Sequence, residues 1–392
     1  HLLNNCLRTH LSSYNICEAG LARRNTVTIP LFKVFMADTA AAAVTDVLNS
    51  GYVGQGPVVD RLEAALAEYL GNPYVATVNS GTSALHLAVH LIKDLPGDEI
   101  LTTPLTCTAT NFPILANGLK LRWVDVDPDT YNLCLQDLRR KLSPNTKAIM
   151  VVHWGGMPVD LDELAEIQDE CEKLYGHRPP VIEDCAHALG SEYKDKRIGS
   201  HGNICAFSFQ AIKHLTTVDG GMLTLPTDEL CERARLLRWF GLDRTRSADF
   251  RCEQNISEWG FKFQMNDMCA AIGLENLKHL PDIVEKHRAN AAWLTEHTHH
   301  RGIQLTGFNP AYWIYTIKVN DRDNFIPYAK SCGVNVSRVH DRNDKHTCME
   351  PFRASLPNLD EVCKSMICIP CGWWLSKDDL GKIRDMLNGW PA

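Results

Sequence analysis

From Tyr74 onward, short apolar runs alternate with amphipathic stretches of helical period. The runs are YVATVN (Tyr74 to Asn79), EILTTP (Glu99 to Pro104), LRWVDV (Leu121 to Val126), AIMVVH (Ala148 to His153), VIED (Val181 to Asp184), ICAFSF (Ile204 to Phe209) and GMLTL (Gly221 to Leu225). Each reads as a strand. The stretches between them, such as SALHLAVHLI from Ser83 and LDELAEIQDECEKLY after Asp160, follow capping-type residues and read as helices. Strands that are apolar throughout and alternate with helices predict an α/β fold: a mainly parallel seven-stranded sheet with helices on both faces.

Past this region the periodicity predicts one long helical stretch, Asn266 to Thr298, leading into a smaller C-terminal α/β unit. That unit holds YWIYTIKV (Tyr312 to Val319), a helix near Asp323 to Cys332, and a final helix after Ser376, where SKDD offers a capping box. The expected division is an N-terminal extension over residues 1–28, poorly ordered; a large domain over 29–285; and a small domain over 286–392. No repeat, low-complexity segment or Pro/Gly-rich linker interrupts the chain, so the two domains should pack as one rigid subunit.

With 392 residues the chain is long enough for one large core and a second, smaller one. Its 45% apolar and 22% charged residues are those of an ordinary globular protein, and its net charge of -7 gives no general attraction for nucleic acid or anionic membrane. No apolar run reaches the roughly 18 residues of a membrane-spanning helix. Fifteen scattered cysteines, mostly inside apolar strings, read as reduced thiols of a cytoplasmic protein rather than a disulfide framework. The lone CxxC at Cys368 and Cys371 has no second pair or nearby histidines at metal spacing, so it reads as core packing, and no metal site is expected.

In parallel sheets, ligands bind beyond the carboxyl ends of the strands, and the chemically interesting residues fall there. Asn79-Ser80-Gly81-Thr82-Ser83 ends a strand and opens a helix, where backbone N–H groups, a glycine and hydroxyls suit one phosphate. Serine and threonine are also ordinary helix caps, so the turn alone does not decide. It contains neither GxGxxG nor GxxxxGK[ST], which argues against a dinucleotide or nucleoside triphosphate. Asp184 ends an apolar strand and needs a cationic or hydrogen-bonding partner, unless it caps the following segment. His187 follows three residues later, and Ser208 ends the sixth strand. Lys213 lies between that strand and a glycine-closed hairpin, a setting in which an amine can be desolvated for covalent chemistry.

Together, Lys213, Asp184, Ser208 and the Ser80 to Ser83 turn resemble pyridoxal 5'-phosphate enzymes, where a lysine forms a Schiff base, an aspartate pairs with the ring nitrogen and a helix start holds the phosphate. More narrowly, the chain from about Ile29 to Leu387 resembles the DegT/DnrJ/EryC1/StrS nucleotide-sugar aminotransferases. The resemblance is carried by SGYVGQGPVVDRLEAALAEYLG, VNSGTSALHLA, PLTCTAT, KAIMVVHWGG, VIEDCAHALGSEY, AFSFQAIKHLTTVDGG and WGFKFQMNDMCAAIGLENL. It implies the aspartate aminotransferase-like fold of pyridoxal-phosphate-dependent transferases. It also implies an amino acid donor, L-glutamate, a nucleotide-linked keto-deoxysugar acceptor, and a homodimer with shared active sites serving amino-sugar biosynthesis.

Carried over by residue, it implies Lys213 as the Schiff-base lysine and proton carrier, Asp184 on the ring nitrogen, and His187 near the ring's phenolic oxygen. Gly81, Thr82 and Ser208 would hold the phosphate. Two positions depart from the family's commoner pattern. Cys107, in PLTCTAT, stands where an aromatic often stacks on the ring. Lys262, in GFKFQM, stands where an asparagine often reaches the neighbouring subunit's phosphate. Two alternatives stay open: a sugar dehydratase of the same fold, in which histidine replaces the lysine and for which His214 is the adjacent candidate, and a catalytically silent regulatory or scaffolding member.

Overall fold

The computed structural model describes residues 28–245, 251–300 and 308–391. Apart from Thr28, the expected N-terminal extension lies outside the described residues.

The main sheet is built from β1 (Val75–Val78), β2 (Glu99–Thr102), β3 (Lys120–Trp123), β4 (Thr146–Val152), β5 (Val181–Asp184), β8 (Ile204–Ser208) and β9 (Gly221–Thr224). Between β5 and β8 lies the pair β6 (Glu192–Tyr193) and β7 (Lys196–Arg197). Around the sheet stand α1 (Ala40–Ser50), α2 (Pro57–Leu70), α3 (Gly81–Leu91), α4 (Thr108–Ala116), α5 (Leu135–Lys141), α6 (Leu161–Tyr175), α7 (Asp228–Leu237) and α8 (Asp267–Leu277). The chain continues through α9 (Leu280–His297), β10 (Phe308–Asn309), β11 (Tyr315–Lys318), α10 (Arg322–Ser331), α11 (Pro357–Ser365), β12 (Met366–Ile369) and α12 (Lys377–Asn388).

The seven strands run in the order β1-β9-β8-β5-β4-β2-β3. Only β9 is antiparallel, to both of its neighbours. The other pairs are parallel, as the buried apolar runs predict. Successive residues point to opposite faces, so Leu101, Ile149, Val151 and Phe207 enter one core, while Ile100, Ala148, Met150 and Ala206 enter the other. Both faces are therefore closed to water, and only the strand ends remain for chemistry.

Helix starts follow the sequence signals. Asp160 caps α6 by accepting from the N–H groups of Asp162 and Glu163, each at 3.1 Å. Ser376 and Asp379 complete the capping box of α12. The start of α2 is capped from far away: buried Asp267 accepts from the N–H groups of Gly56 at 2.7 Å, Val58 at 3.2 Å and Val59 at 3.1 Å. A Cβ at position 56 would sit 2.7 Å from the Asp267 carboxylate, so only glycine admits this cap.

Two expectations need correction, and one sheet was not foreseen. The long helix expected over Asn266 to Thr298 is two helices, α8 and α9, separated at Lys278 and His279. Pro281 stands in the first turn of α9, where its missing N–H is harmless; further inside a continuous helix it would remove a hydrogen bond. The run at Tyr312 to Val319 narrows to β11, since Tyr312 takes a left-handed φ of 49°. Finally, a three-stranded sheet, β10-β6-β7, has no counterpart in the sequence reading.

A third core gathers Tyr315, Ile317, Phe325, Ile367, Ile369, Ile383 and Leu387 around the pair β11–β12. Helix α9 supplies Leu280 and Val284 to the main core and Ala291 and Leu294 to this one. The expected boundary between 285 and 286 thus falls inside a helix shared by both cores. Ile29 joins the third core and pairs with the segment after α10, its N–H donating to Gly333 O at 2.8 Å.

Candidate active site

The register of the sheet brings two loop starts level. Val78 at the end of β1 pairs with Gly221, and Gly221 pairs with Ser208 at the end of β8. The turn that opens α3 therefore lies beside Ser208, separated only by a glycine. A Cβ on Gly221 would be 2.7 Å from Gly81 N and 2.6 Å from Phe207 O. A Cβ on Gly81 would be 2.7 Å from Ser208 Cβ and 3.1 Å from its Oγ. Glycine at both positions is what lets the helix start and the strand end touch.

Ser80 caps α3, its Oγ accepting from Ser83 N–H at 3.0 Å and lying 2.9 Å from Ser83 Oγ. Ser83 in turn donates to Asn79 Oδ1 at 2.6 Å. These bonds fix the helix start. The Gly81 and Thr82 N–H groups have no acceptor among the described residues. Two free N–H groups at the positive end of a helix, with the Ser208 hydroxyl beside them, form a cradle for an anion.

Asp184 ends β5, paired with Ala206 two residues before Ser208. It is buried, and both oxygens are engaged: Oδ2 accepts from the Thr110 hydroxyl at 2.6 Å and Oδ1 from the Ala186 N–H at 3.0 Å. Burial raises its pKa, and the Thr110 hydroxyl, the Ala186 N–H and the Lys213 charge oppose that rise. Thr110, in α4, was not anticipated; it lies one helical turn past Cys107, a spacing too common to single it out.

Lys213 sits in the loop between β8 and β9, anchored by its N–H donating to Gln210 O at 2.9 Å. The residue as a whole is partly exposed, but its Nζ is desolvated, 3.6 Å from the centre of the buried Trp313 ring. Burial lowers the pKa of the amine to about 8, against the opposing charges of Asp184 and Cys107. Asp184 and Cys107 are therefore both close to the Lys213 amine. A lysine amine with a pKa this near neutrality has a substantial unprotonated fraction under ordinary conditions.

His187 is buried and stacked on Trp313, ring centroids 4.0 Å apart and planes 20° apart. Its Nδ1 accepts from the Gly155 N–H at 3.3 Å, leaving Nε2 as the protonated nitrogen. Burial, then Lys213 and His340, push its pKa well below the usual imidazole value. It is a neutral hydrogen-bond donor, not a cation.

Lys262 stands apart from this group. Its side chain is exposed and lies over Trp239, Nζ 3.6 Å from the ring centre, with Arg244 on the same ring at 4.0 Å. Its backbone is nonetheless next to the phosphate turn, Lys262 O accepting from Asn79 Nδ2 at 3.3 Å. His214, the histidine adjacent to Lys213, is buried edge-on against His287 at 4.6 Å, on the side of α9.

The CxxC cysteines lie within the hydrophobic cores. Cys368 and Cys371 are buried free thiols, their Sγ atoms 3.3 Å from Val339 O and 3.2 Å from Tyr312 O. Among the described residues one cluster has metal-ligand chemistry, His153, Glu183 and Cys185. There His153 Nε2 bonds Glu183 at 2.7 Å while Nδ1 accepts from Val159 N–H at 3.1 Å, which uses both ring nitrogens. No described helix is long and apolar enough to cross a membrane.

The residues present fit pyridoxal 5'-phosphate: a cradle that a single Cβ would fill, a desolvated amine, a buried carboxylate and a neutral imidazole donor. A direct check is Gly81→Ala. The added methyl must displace Ser208 or the helix start, so the variant should bind the cofactor about tenfold more weakly, the equivalent of one charge-assisted hydrogen bond. Titrating cofactor-free protein by absorbance would show it, and unchanged affinity would remove the cradle from the phosphate site.

The sequence model of the DegT/DnrJ/EryC1/StrS aminotransferase family matches residues 35–388. The spore coat polysaccharide biosynthesis protein SpsC of Bacillus subtilis is 36% identical over 371 residues, covering 88% of this chain and 94% of SpsC. The crystal structure of AtS13 from Actinomadura melliaura superposes with a TM-score of 0.91 at 48% identity, covering 93% of this chain and all of that one. The sugar aminotransferase CalS13 from Micromonospora echinospora gives 0.88 at 43% identity, over 92% and 99% of the two chains.

Proposed function

The chain belongs to the DegT/DnrJ/EryC1/StrS aminotransferase family and is a pyridoxal 5'-phosphate-dependent aminotransferase; from this premise we propose that it moves an amino group from L-glutamate to a nucleotide-linked keto-deoxysugar. The observation that carries the reading is the meeting of Lys213, Asp184 and His187 at the same sheet end as the Gly81–Ser208 cradle. The similarity to a sugar aminotransferase and to a polysaccharide biosynthesis protein supports a sugar acceptor.

When bound, the cofactor supplies an electron sink for the carbon that loses its proton. Each residue then has a task that its environment suits. Thr110 and Ala186 hold the Asp184 carboxylate in place, so that it can keep a proton on the ring nitrogen. Lys213, with its pKa near 8, can both accept and return a proton at Nζ. His187 offers Nε2–H to the phenolic oxygen, and Gly155 fixes its tautomer. By the family resemblance Cys107 would stand where an aromatic ring commonly stacks, and its small side chain would cover the cofactor less. The Gly81 and Thr82 N–H groups and the Ser208 hydroxyl would hold the phosphate.

A homodimer with shared active sites belongs to the same reading, with Lys262 serving the neighbouring subunit's phosphate. Its support is a set of exposed apolar side chains, Tyr52 at 69% and Val218 at 53% among them, flanking the loops that carry Lys213 and the start of α2. We assign the enzyme to the cytoplasm, where nucleotide sugars and free thiols are stable. The dehydratase reading would need His214 at the reaction centre, whereas its ring packs toward His287 on α9.

The test is a screen of nucleotide ketosugars with glutamate, following 2-oxoglutarate release and the aminated sugar. One acceptor class should give stoichiometric release of both products. A sugar product without 2-oxoglutarate would make the protein a dehydratase, and cofactor binding without any half-reaction with glutamate would make it a silent member.

A further inference from the structure

Trp313 reaches the site from the C-terminal unit and has no role assigned to it so far. Its ring is locked on several sides. The indole Nε1 donates to Ile212 O at 2.9 Å, in the residue just before Lys213. Phe32 stacks on the ring at 4.6 Å and 20°, and His187 at 4.0 Å and 20°. His340 lies nearly parallel to it, 6.2 Å away and 16° off. Only 2% of its surface is exposed. Against this fixed ring the Lys213 Nζ rests at 3.6 Å from the centroid.

We propose that Trp313 is a positioning residue that holds the Lys213 ammonium on its π face whenever the amine is not bonded to cofactor, keeping the proton at Nζ between its acceptance and its return. An ammonium within about 6 Å of an indole face is attracted by the ring quadrupole, most strongly where water is excluded. The attraction acts only on the charged form and so opposes the desolvation that pushes the amine toward neutrality. The other titratable groups in the surroundings of Nζ, some of them not in contact with it, divide cleanly. Asp184 and Cys107 favour its charge. Burial pushes His187 and His214 well below the usual imidazole value and His340 down to about 4, so near neutral pH none of them adds positive charge. Trp313 is thus the uncharged group in contact with Nζ that favours the ammonium. Because its Nε1 is bonded within the lysine's own loop, it also fixes where the amine waits.

This inference rests on the reading of Lys213 as the cofactor-binding lysine, and the experiment separates the two. The full-length protein is labelled at amines with trinitrobenzenesulfonate across pH 6 to 10, with and without pyridoxal phosphate, and the rate at Lys213 is followed by peptide mass spectrometry. Cofactor should protect Lys213; failure of protection overturns the lysine assignment itself. In cofactor-free protein, Trp313→Leu should lower the labelling midpoint by about one pH unit, a labelling rate at pH 7 up to about tenfold faster. Trp313→Phe keeps an aromatic face and should shift the midpoint by less than half as much. An unchanged or raised midpoint in Trp313→Leu overturns the proposal, and so do equal shifts in the leucine and phenylalanine variants, which would mean packing alone.

Discussion

Lys213→Ala is expected to lower turnover about 10³-fold, within the 10² to 10⁴ that positioned proton transfer supplies, while the protein stays folded. The second half of that expectation follows from the same environment that makes the amine reactive. The folded-state pKa is about 8, below the ordinary 10.5 of the unfolded chain. Between those values the unfolded chain binds more protons at this site, so this lysine makes stability rise as pH increases from 8 toward 10.5. Below pH 8 the buried ammonium is a cost that the alanine variant does not carry. Thermal melts of the variant at pH 7 should therefore match or exceed those of the wild type, and the advantage should disappear near pH 10.5. Steady-state rates with glutamate and acceptor measure the first effect. Retained turnover would remove Lys213 from the chemistry, whereas a large fall in melting temperature at pH 7 would make it a structural residue.

The sheet was legible because strands buried on both faces must be apolar throughout, and Ile149, Met150 and Val151 in β4 or Val181 and Ile182 in β5 leave no polar face to mislead. Lys213 and Asp184 stood out for the complementary reason: they are charged residues at the ends of such strands, where an unpaired charge has no cheap explanation. The break between α8 and α9 was hidden because the apolar period continues across Lys278 and His279, and only Pro281 marks it. The strands β6, β7 and β10 have two residues each, too few to show a period of two. Trp313, His340 and Thr110 were invisible as site residues for a different reason. Each is brought to Asp184 or Lys213 by tertiary packing across 70 or more residues, and an aromatic beside a strand or a threonine in a helix gives no local sign of that. The geometry adds to His187, which the family resemblance puts near the ring's phenolic oxygen: burial and the Gly155 N–H make it a neutral donor.

Asp184→Asn should separate function from stability most sharply. Asparagine keeps the volume and can still accept from either the Thr110 hydroxyl or the Ala186 N–H, though not from both, and it loses the negative charge that favours a charged Lys213 and would favour a protonated ring nitrogen. Turnover should fall about 10²-fold, the scale of removing one preorganised electrostatic partner. Stability should move the other way. Burial raises the folded-state pKa of Asp184 above its ordinary 3.8. Just above pH 3.8 the folded protein thus holds a proton that the unfolded chain has released, and stability falls as pH climbs through that window. Once the carboxyl has ionised above that window, the wild type carries the cost of a buried charge, so the asparagine variant should melt at an equal or higher temperature. That gain should shrink as pH is lowered toward 3.8, where the wild-type carboxyl is neutral in the fold. Melting curves from pH 4 to 7 beside kcat would show the opposed trends. If melting temperature and kcat fall together at pH 7, Asp184 is there to hold Thr110 and Ala186 in place, and the charge has another purpose or none. If they part as expected, Asp184 is a residue whose charge costs stability and serves the chemistry, the trade expected at a functional strand end.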